Sequence, residues 1–315
     1  MNESAGTETG ERGSGPIVVV GAHAQGLFLR VEAVPREGES VLGSGYDEPA
    51  DGGKASNQAV AAARLGAPVL LITVVGSDER GRRALRLFED QGIATRFVEE
   101  VDGPTDVGFV MLPPSAIPAI ATAMDRNREL DTAVVERASG AIAEASLVIC
   151  QLEAPQESAL AAFRLARGAG ARTLLNPAPA TELEPELLGL TDLVVPNEHE
   201  AAILAGRDGS PAELAALLAR SLPVPAVVVT AGAAGAYVAE RGREVHHVPA
   251  QAVPAVDTTG AGDAFIGALA VRLRARDTLR HGVAFAARAA TLSVTRPGTM
   301  LAFPTAAEME ARRPS

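Results

Sequence analysis

Between residues 257 and 263 the chain reads Asp257-Thr258-Thr259-Gly260-Ala261-Gly262-Asp263, and an apolar run beginning Ala264-Phe265-Ile266 follows at once. Small residues let backbone N–H groups approach an anion closely, and the start of a helix favours negative charge. An aspartate there holds phosphate poorly but is well placed to take a proton from a hydroxyl beside it. An anion cradle next to a carboxylate base is what phosphoryl transfer to an alcohol requires. Asp263 is therefore a candidate general base, and Gly260, Ala261 and Gly262 a candidate cradle. The same seven residues would also make an ordinary glycine-rich strand-to-helix turn with an acidic first turn, so the segment alone leaves both readings open.

The elements that must position these residues follow from periodicity. Short β-branched or aliphatic runs predict strands at Ile17–Val20, Val69–Val75, Leu147–Ile149, Thr173–Leu175, Leu193–Val195 and Val227–Val229. Alanine-rich segments of helical period predict helices at Asn57–Leu65, Arg80–Gln91, Thr132–Glu144, Glu157–Arg167, Pro211–Ala219, Gly262–Arg274 and Leu279–Val294. Such alternation predicts an α/β fold with a mainly parallel, doubly wound sheet covered on both faces. Chemistry-capable residues gather at the strand exits: Gln151 and Glu153, Asn176, then Asn197, Glu198 and Glu200, then Thr230 and Gly232. Ligands of open α/β sheets bind outside the carboxyl ends of the strands, so these exits describe one rim of a site. Polar loop composition is the plainer alternative. Gly26 to Gly53 and Gly103 to Leu112 break the pattern as extended pieces without helices.

Composition narrows the function. The chain has 315 residues, 47% of them hydrophobic and only 3% aromatic, so its core must be aliphatic and alanine-rich. A net charge of −11 argues against nucleic-acid or anionic-membrane partners. The single cysteine, Cys150, precludes an internal disulfide and fits a reducing, cytoplasmic setting. Met1 to Gly15 lacks the apolar core of a signal peptide and is expected to be disordered. Val107 to Met124 is free of charges, but Pro113, Pro114 and Pro118 exclude a membrane helix and predict extended structure. Gly52-Gly53-Lys54 is not a P-loop, since Glu48 and Ala55 stand where glycine and Ser/Thr are needed, and Gly260-Ala261-Gly262 lacks the third glycine of a dinucleotide fingerprint.

A second segment, Gly52-Gly53-Lys54-Ala55-Ser56-Asn57-Gln58, joins the first. With Gln151-Leu152-Glu153, Asn176-Pro177-Ala178-Pro179 and Pro196-Asn197-Glu198-His199-Glu200, in that order, the chain resembles the ribokinase-like (PfkB) carbohydrate kinase family from about Pro16 to Glu310. The resemblance implies an ATP-dependent sugar kinase: one domain over residues 16–310 with a small β-sheet lid from about 26–53 and 103–124, which also serves as a homodimer contact. It implies that Gly53, Lys54, Asn57 and Glu153 contact the sugar, that Asn197, Thr230, Gly232 and Gly235 contact the nucleotide, and that Glu200 holds Mg²⁺, partly through water. It also implies a K⁺ site built from Asp257, the Thr259 carbonyl and backbone oxygens at Ser293, Arg296 and Gly298; the family's last ligand, a serine, is Ala302 here. A non-catalytic ligand-binding protein of the same fold is the other class left open.

One departure stands out. The family carries Asn-x-Asp just after the first strand, where the aspartate grips two sugar hydroxyls; here those positions are Ala24 and Gly26. Asp51, next to Gly52-Gly53-Lys54, together with His23 or Gln25, is expected to read those hydroxyls instead. A solvated turn is the alternative for Asp51. The phosphate chemistry is thus expected to be retained and the substrate contacts rewritten, with ribose or a related sugar, or a nucleoside, as acceptor.

Overall fold

The computed structural model describes residues 15–49, 51–115 and 117–312. The expected tail, Met1 to Gly15, lies outside them except for Gly15. In chain order the strands are β1 (Ile17–Val20), β2 (Gln25–Val31), β3 (Gly43–Asp47), β4 (Val69–Gly76), β5 (Ala94–Val101), β6 (Val107–Leu112), β7 (Ala119–Ala123), β8 (Leu147–Cys150), β9 (Arg172–Leu175), β10 (Leu193–Val194), β11 (Ala226–Thr230), β12 (Ala236–Glu240) and β13 (His246–Val248). The helices are α1 (Lys54–Arg64), α2 (Glu79–Asp90), α3 (Thr132–Arg137), α4 (Ser139–Ala143), α5 (Gln156–Ala169), α6 (Pro185–Gly189), α7 (Glu198–Ala205), α8 (Pro211–Ser221), α9 (Ala261–Arg274), α10 (Leu279–Ser293) and α11 (Ala306–Ala311).

Strands β1 and β4 are buried along their whole length. Their sequences do not alternate with polar residues because helices cover both faces. Successive side chains still point in opposite directions. Ile17, Val19 and Leu71 pack with Ala59 of α1, Leu269 of α9 and Val283 of α10. Val18, Val20 and Ile72 pack with Val135 of α3, Ile142 of α4 and Phe163 of α5. The nine-stranded order is β13-β12-β11-β10-β9-β8-β1-β4-β5. Strands β11 through β5 in that order are parallel, while β12 and β13 are antiparallel. The first strand lies inside the sheet, between β8 and β4. The chain winds one way from β1 to β5, then the other way from β8 to β11, which opens a crevice at the strand ends beside β1.

The extended insertions expected from the sequence form a separate four-stranded sheet, β3-β2-β6-β7. Two antiparallel pairs are joined by a parallel seam between β2 and β6. The chain passes between the two sheets four times, and the crossings are tied together. The Gln25 N–H donates to the Asp106 carbonyl at 2.8 Å, and that of Gly26 to the Asp51 carbonyl at 2.6 Å. Asn127 Nδ2 donates to the His23 carbonyl at 2.6 Å and to Asp106 Oδ2 at 2.7 Å.

The predicted strands and helices of the main layer are all present, with small changes of boundary. The helix expected over Thr132–Glu144 is two, α3 and α4, meeting at Ala138, whose φ of −93° and ψ of 8° leave the helical range. Strand β5 was not anticipated. It is the sheet's edge and carries Arg96, Glu99 and Glu100 among its apolar residues, so it lacks the unbroken apolar run of the buried strands.

Candidate active site

Asp263 sits in the first turn of α9, almost fully buried, at the crevice. Both its oxygens are held from α1: Asn57 Nδ2 donates to Oδ2 at 2.8 Å and Gln58 Nε2 to Oδ1 at 2.9 Å. Gln58 is itself fixed. Its Nε2 also donates to Asn176 Oδ1 at 3.1 Å, and its Oε1 accepts from Gln151 Nε2 at 2.6 Å. Asn176 Nδ2 in turn donates to the Val195 carbonyl at 2.9 Å. The exits of β8, β9 and β10 are thus linked through one glutamine to the carboxylate. Sequence reasoning gave Gln58 no role. The available signal was a second amide beside Asn57 in an otherwise apolar helix.

Gly260 caps α9 with φ 74°, and a Cβ there would lie 2.5 Å from Thr299 Cγ2, so both backbone and space require glycine. The first N–H groups of a helix have no partner within it. Of the three expected cradle amides, that of Ala261 turns back onto the Thr258 carbonyl at 3.2 Å.

Lys54 opens α1 directly after Gly53, whose φ is 78°. The Lys54 N–H donates to Glu153 Oε2 at 2.7 Å. One ammonium therefore stands among three acids. Burial opposes the Lys54 charge, but Glu153, Asp263 and Glu200 together prevail and hold its pKa above the ordinary lysine value. Burial raises the carboxyl pKa of Asp263, Glu153 and Glu200, and Lys54 only partly offsets it. Such a site takes up a proton or a cation more readily than free carboxylates would.

Two cavities meet here. The larger, about 660 Å³, lies between the sheets; Gly53, Lys54, Asn57, Glu153 and Thr259 are in its wall. The smaller, about 180 Å³, is lined by Asn197, Thr230, Ala261 and Gly262. Lys54, Glu200, Gly260 and Asp263 border both. Asn57 Oδ1 is buried and has no partner, so an acceptor remains for a ligand.

Ala24 and Gly26 line the larger cavity, but the groups expected to replace their missing contacts do not. Asp51 is 4% exposed and accepts from the Met300 N–H through Oδ2 at 3.0 Å, so it is neither a solvated turn nor part of the cavity wall. Burial moves its pKa up to about 6. His23 Nδ1 is 3.0 Å from Ser56 Oγ, and burial lowers its pKa to about 4. Gln25 Nε2 donates to the Glu48 carbonyl at 3.1 Å. At position 26 the Phe28 ring takes the space: a Cβ would lie 2.4 Å from Phe28 Cε2. These contacts depend on how the lid docks, which local sequence does not reveal.

On the nucleotide side, Asn197 and Glu200 form a capping box at the start of α7, each side chain binding the other's N–H at 2.8 Å. The second oxygen of Glu200 carries no hydrogen bond, so a carboxylate faces a phosphate-sized cavity and fits a magnesium held partly through water. Thr230 bridges Asn197 at the end of β11, and Gly232 and Gly235 shape the following turn with φ 49° and 91°. Beside α9, Asp257 Oδ1 accepts from the Thr259 N–H at 2.9 Å and Oδ2 from the Gly298 N–H at 3.0 Å. The Ser293 carbonyl accepts from the Arg296 N–H at 3.2 Å, while the Arg296 guanidinium goes to Glu308. The 257–259 turn is thereby fastened to the 293–298 segment, and Thr259 Oγ1 is buried without a partner. A carboxylate with nearby main-chain oxygens suits a monovalent cation. Ala302, where the resembled family has serine, is buried.

Known proteins share the sequence and the fold. The model of the pfkB family carbohydrate kinases matches residues 17–306. A ribokinase of Haemophilus influenzae is 35% identical over 296 residues, covering 93% of this chain and 96% of its own. The structure of ribokinase from Giardia lamblia superposes with a TM-score of 0.88 at 28% identity, over 95% of this chain and all of that one. Arabidopsis thaliana ribokinase complexed with ribose and ATP gives a TM-score of 0.86 at 27% identity, over 95% and 98%. The chain belongs to the pfkB family of carbohydrate kinases and is an ATP-dependent sugar kinase.

Proposed function

We propose that this chain transfers the γ-phosphoryl group of ATP to a hydroxyl of ribose or a related sugar, with Asp263 receiving the hydroxyl proton. The observation that carries this reading is the position of Asp263: it borders both cavities, and both its oxygens are oriented by Asn57 and Gln58. The sugar occupies the larger cavity against Gly53, Lys54, Asn57 and Glu153. The nucleotide lies against Asn197, Thr230, Gly232 and Gly235. The Gly260 and Gly262 amides, with that of Ala261 once its turn relaxes, stabilise charge on the phosphoryl group in flight. The hydroxyl oxygen forms its bond to phosphorus as the bond to ADP breaks, and the proton passes to Asp263 late.

Mg²⁺ at Glu200 would neutralise phosphate charge, and K⁺ at Asp257, Thr259, Ser293, Arg296 and Gly298 would order the turn beside the cradle. Residues 16–310 act as one kinase domain with lid segments 26–53 and 103–124. Exposed apolar side chains on the lid segments, Leu42 and Phe109 among them, support a homodimer contact there. No described helix is long and apolar enough to cross a membrane, and the lone buried Cys150 supports a cytoplasmic setting.

The test is ADP formation across a panel of pentoses, hexoses and nucleosides, followed by Asp263→Asn on the best acceptor. The substitution should lower kcat by roughly 10²–10⁴, the usual worth of a general base, while ATP binding persists. Near-native turnover would remove Asp263 from the proton transfer.

A further inference from the structure

Lys54, Arg128, Glu153, Glu200 and Asp263 are the charged side chains in the wall of the larger cavity. Four of them form one electrostatic group, because Lys54 acts on each of the three acids and they act on it. Arg128 does not figure among the charges acting on those acids. Among the described residues its side chain has neither a hydrogen bond nor an ion pair. Arg126, two residues earlier, is held through Nη1 by Glu129 and the Asp102 carbonyl.

The backbone that carries Arg128 is nonetheless fixed. Asn127 is completely buried, accepts from the His23 N–H at 3.0 Å, and donates to Asp106 from both its backbone and its side chain. The Leu130 N–H closes the turn onto the Asn127 carbonyl at 3.2 Å. An anchored turn therefore places an exposed, unpaired arginine in the cavity wall. Elsewhere in the wall Ala24 and Gly26 offer no side-chain acceptor, and the Phe28 ring fills the space beside Gly26.

A neutral sugar makes little use of such a group, since hydroxyls are held well by amides. A guanidinium fork matches a carboxylate or phosphate, which it binds through two parallel charged hydrogen bonds. With a net charge of −11, the protein as a whole repels anions, so capture of one requires a local cation. A cavity of about 660 Å³ is large enough for a monosaccharide with an anionic substituent. We propose that the sugar phosphorylated here carries a carboxylate or phosphate group remote from the reacting hydroxyl, and that Arg128 is the specificity-determining residue that binds it. The inference rests on the kinase reading above, because it concerns the acceptor of that transfer.

The experiment measures ADP formation by the whole chain with ribose, ribonate and ribose 5-phosphate, and with glucose, gluconate and glucose 6-phosphate. Wild type is compared with Arg128→Gln and Arg128→Lys. One acidic series should exceed its neutral parent in kcat/KM by about tenfold or more, the scale of a charge-assisted pair. Which series does so separates carboxylate from phosphate. Arg128→Gln should collapse that acid-to-neutral ratio at least tenfold, through KM rather than kcat, and Arg128→Lys should restore part of it. Preference for the neutral sugar over both acidic forms, or a ratio unmoved by Arg128→Gln, overturns the inference and leaves the kinase reading standing. No ADP from any sugar in the panel overturns both.

Discussion

Asp51 is a buried acid with one oxygen on the Met300 N–H and the other without a partner. Its pKa rises from 3.8 to about 6, chiefly through burial. The native chain then binds more protons than the unfolded one between those values, so Asp51 lowers stability as pH rises through that window. A shift of about two pKa units corresponds to roughly 3 kcal/mol at most. Asp51→Asn should therefore raise the denaturation midpoint at pH 7.5 and change it little at pH 4; an equal effect at both values would contradict the burial argument. The case also marks how far the site was legible at this scale. Asp263 was singled out by residue type and position, and Asn57, Lys54 and Glu153 by the family resemblance; the fold brings the four together around the crevice. Gln58, Phe28 and Arg128 escaped notice. Each matters through a partner more than a hundred residues away or through the docking of the lid, and nothing local records that.

Helices α1 and α9 carry most of the proposed chemistry, and their closeness depends on Gly267. A Cβ there would come within 2.5 Å of Ala61 Cβ and 2.8 Å of the Gln58 carbonyl. Gly267→Ala must push the helices apart and should cost about 1–3 kcal/mol, typical of overpacking. Because Gln58 and Asp263 lie on the two sides of this contact, kcat should fall along with the melting temperature. A stability loss with unchanged kcat would show that the carboxylate tolerates the shift. Periodicity read the buried layer well because β1 and β8 are unbroken apolar runs, β4 is interrupted only by Thr73 before its closing Gly76, and the long helices are alanine-rich. It was weakest where two signals overlapped: Asn197-x-x-Glu200 was read as a ligand motif, yet it is also the capping box that starts α7.

Over the whole molecule, the lid segments carry exposed apolar side chains: Leu42 at 95% exposure, with Tyr46, Phe109 and Ile117 also exposed. Apolar groups left uncovered together mark an interaction surface. Sedimentation velocity should find a dimer, and Leu42→Glu should shift it toward monomer; a native chain that stays monomeric at every concentration would remove the homodimer. The lid is joined to the body by four strands of chain, and at their base His23, Asp51, Asp106 and Asn127 bind one crossing to another. A flap on a single strand could twist freely, whereas here a displacement of one crossing is passed to the other three. Mechanically it is an arch whose feet are locked together, so any movement of the lid would be that of one rigid piece about its base.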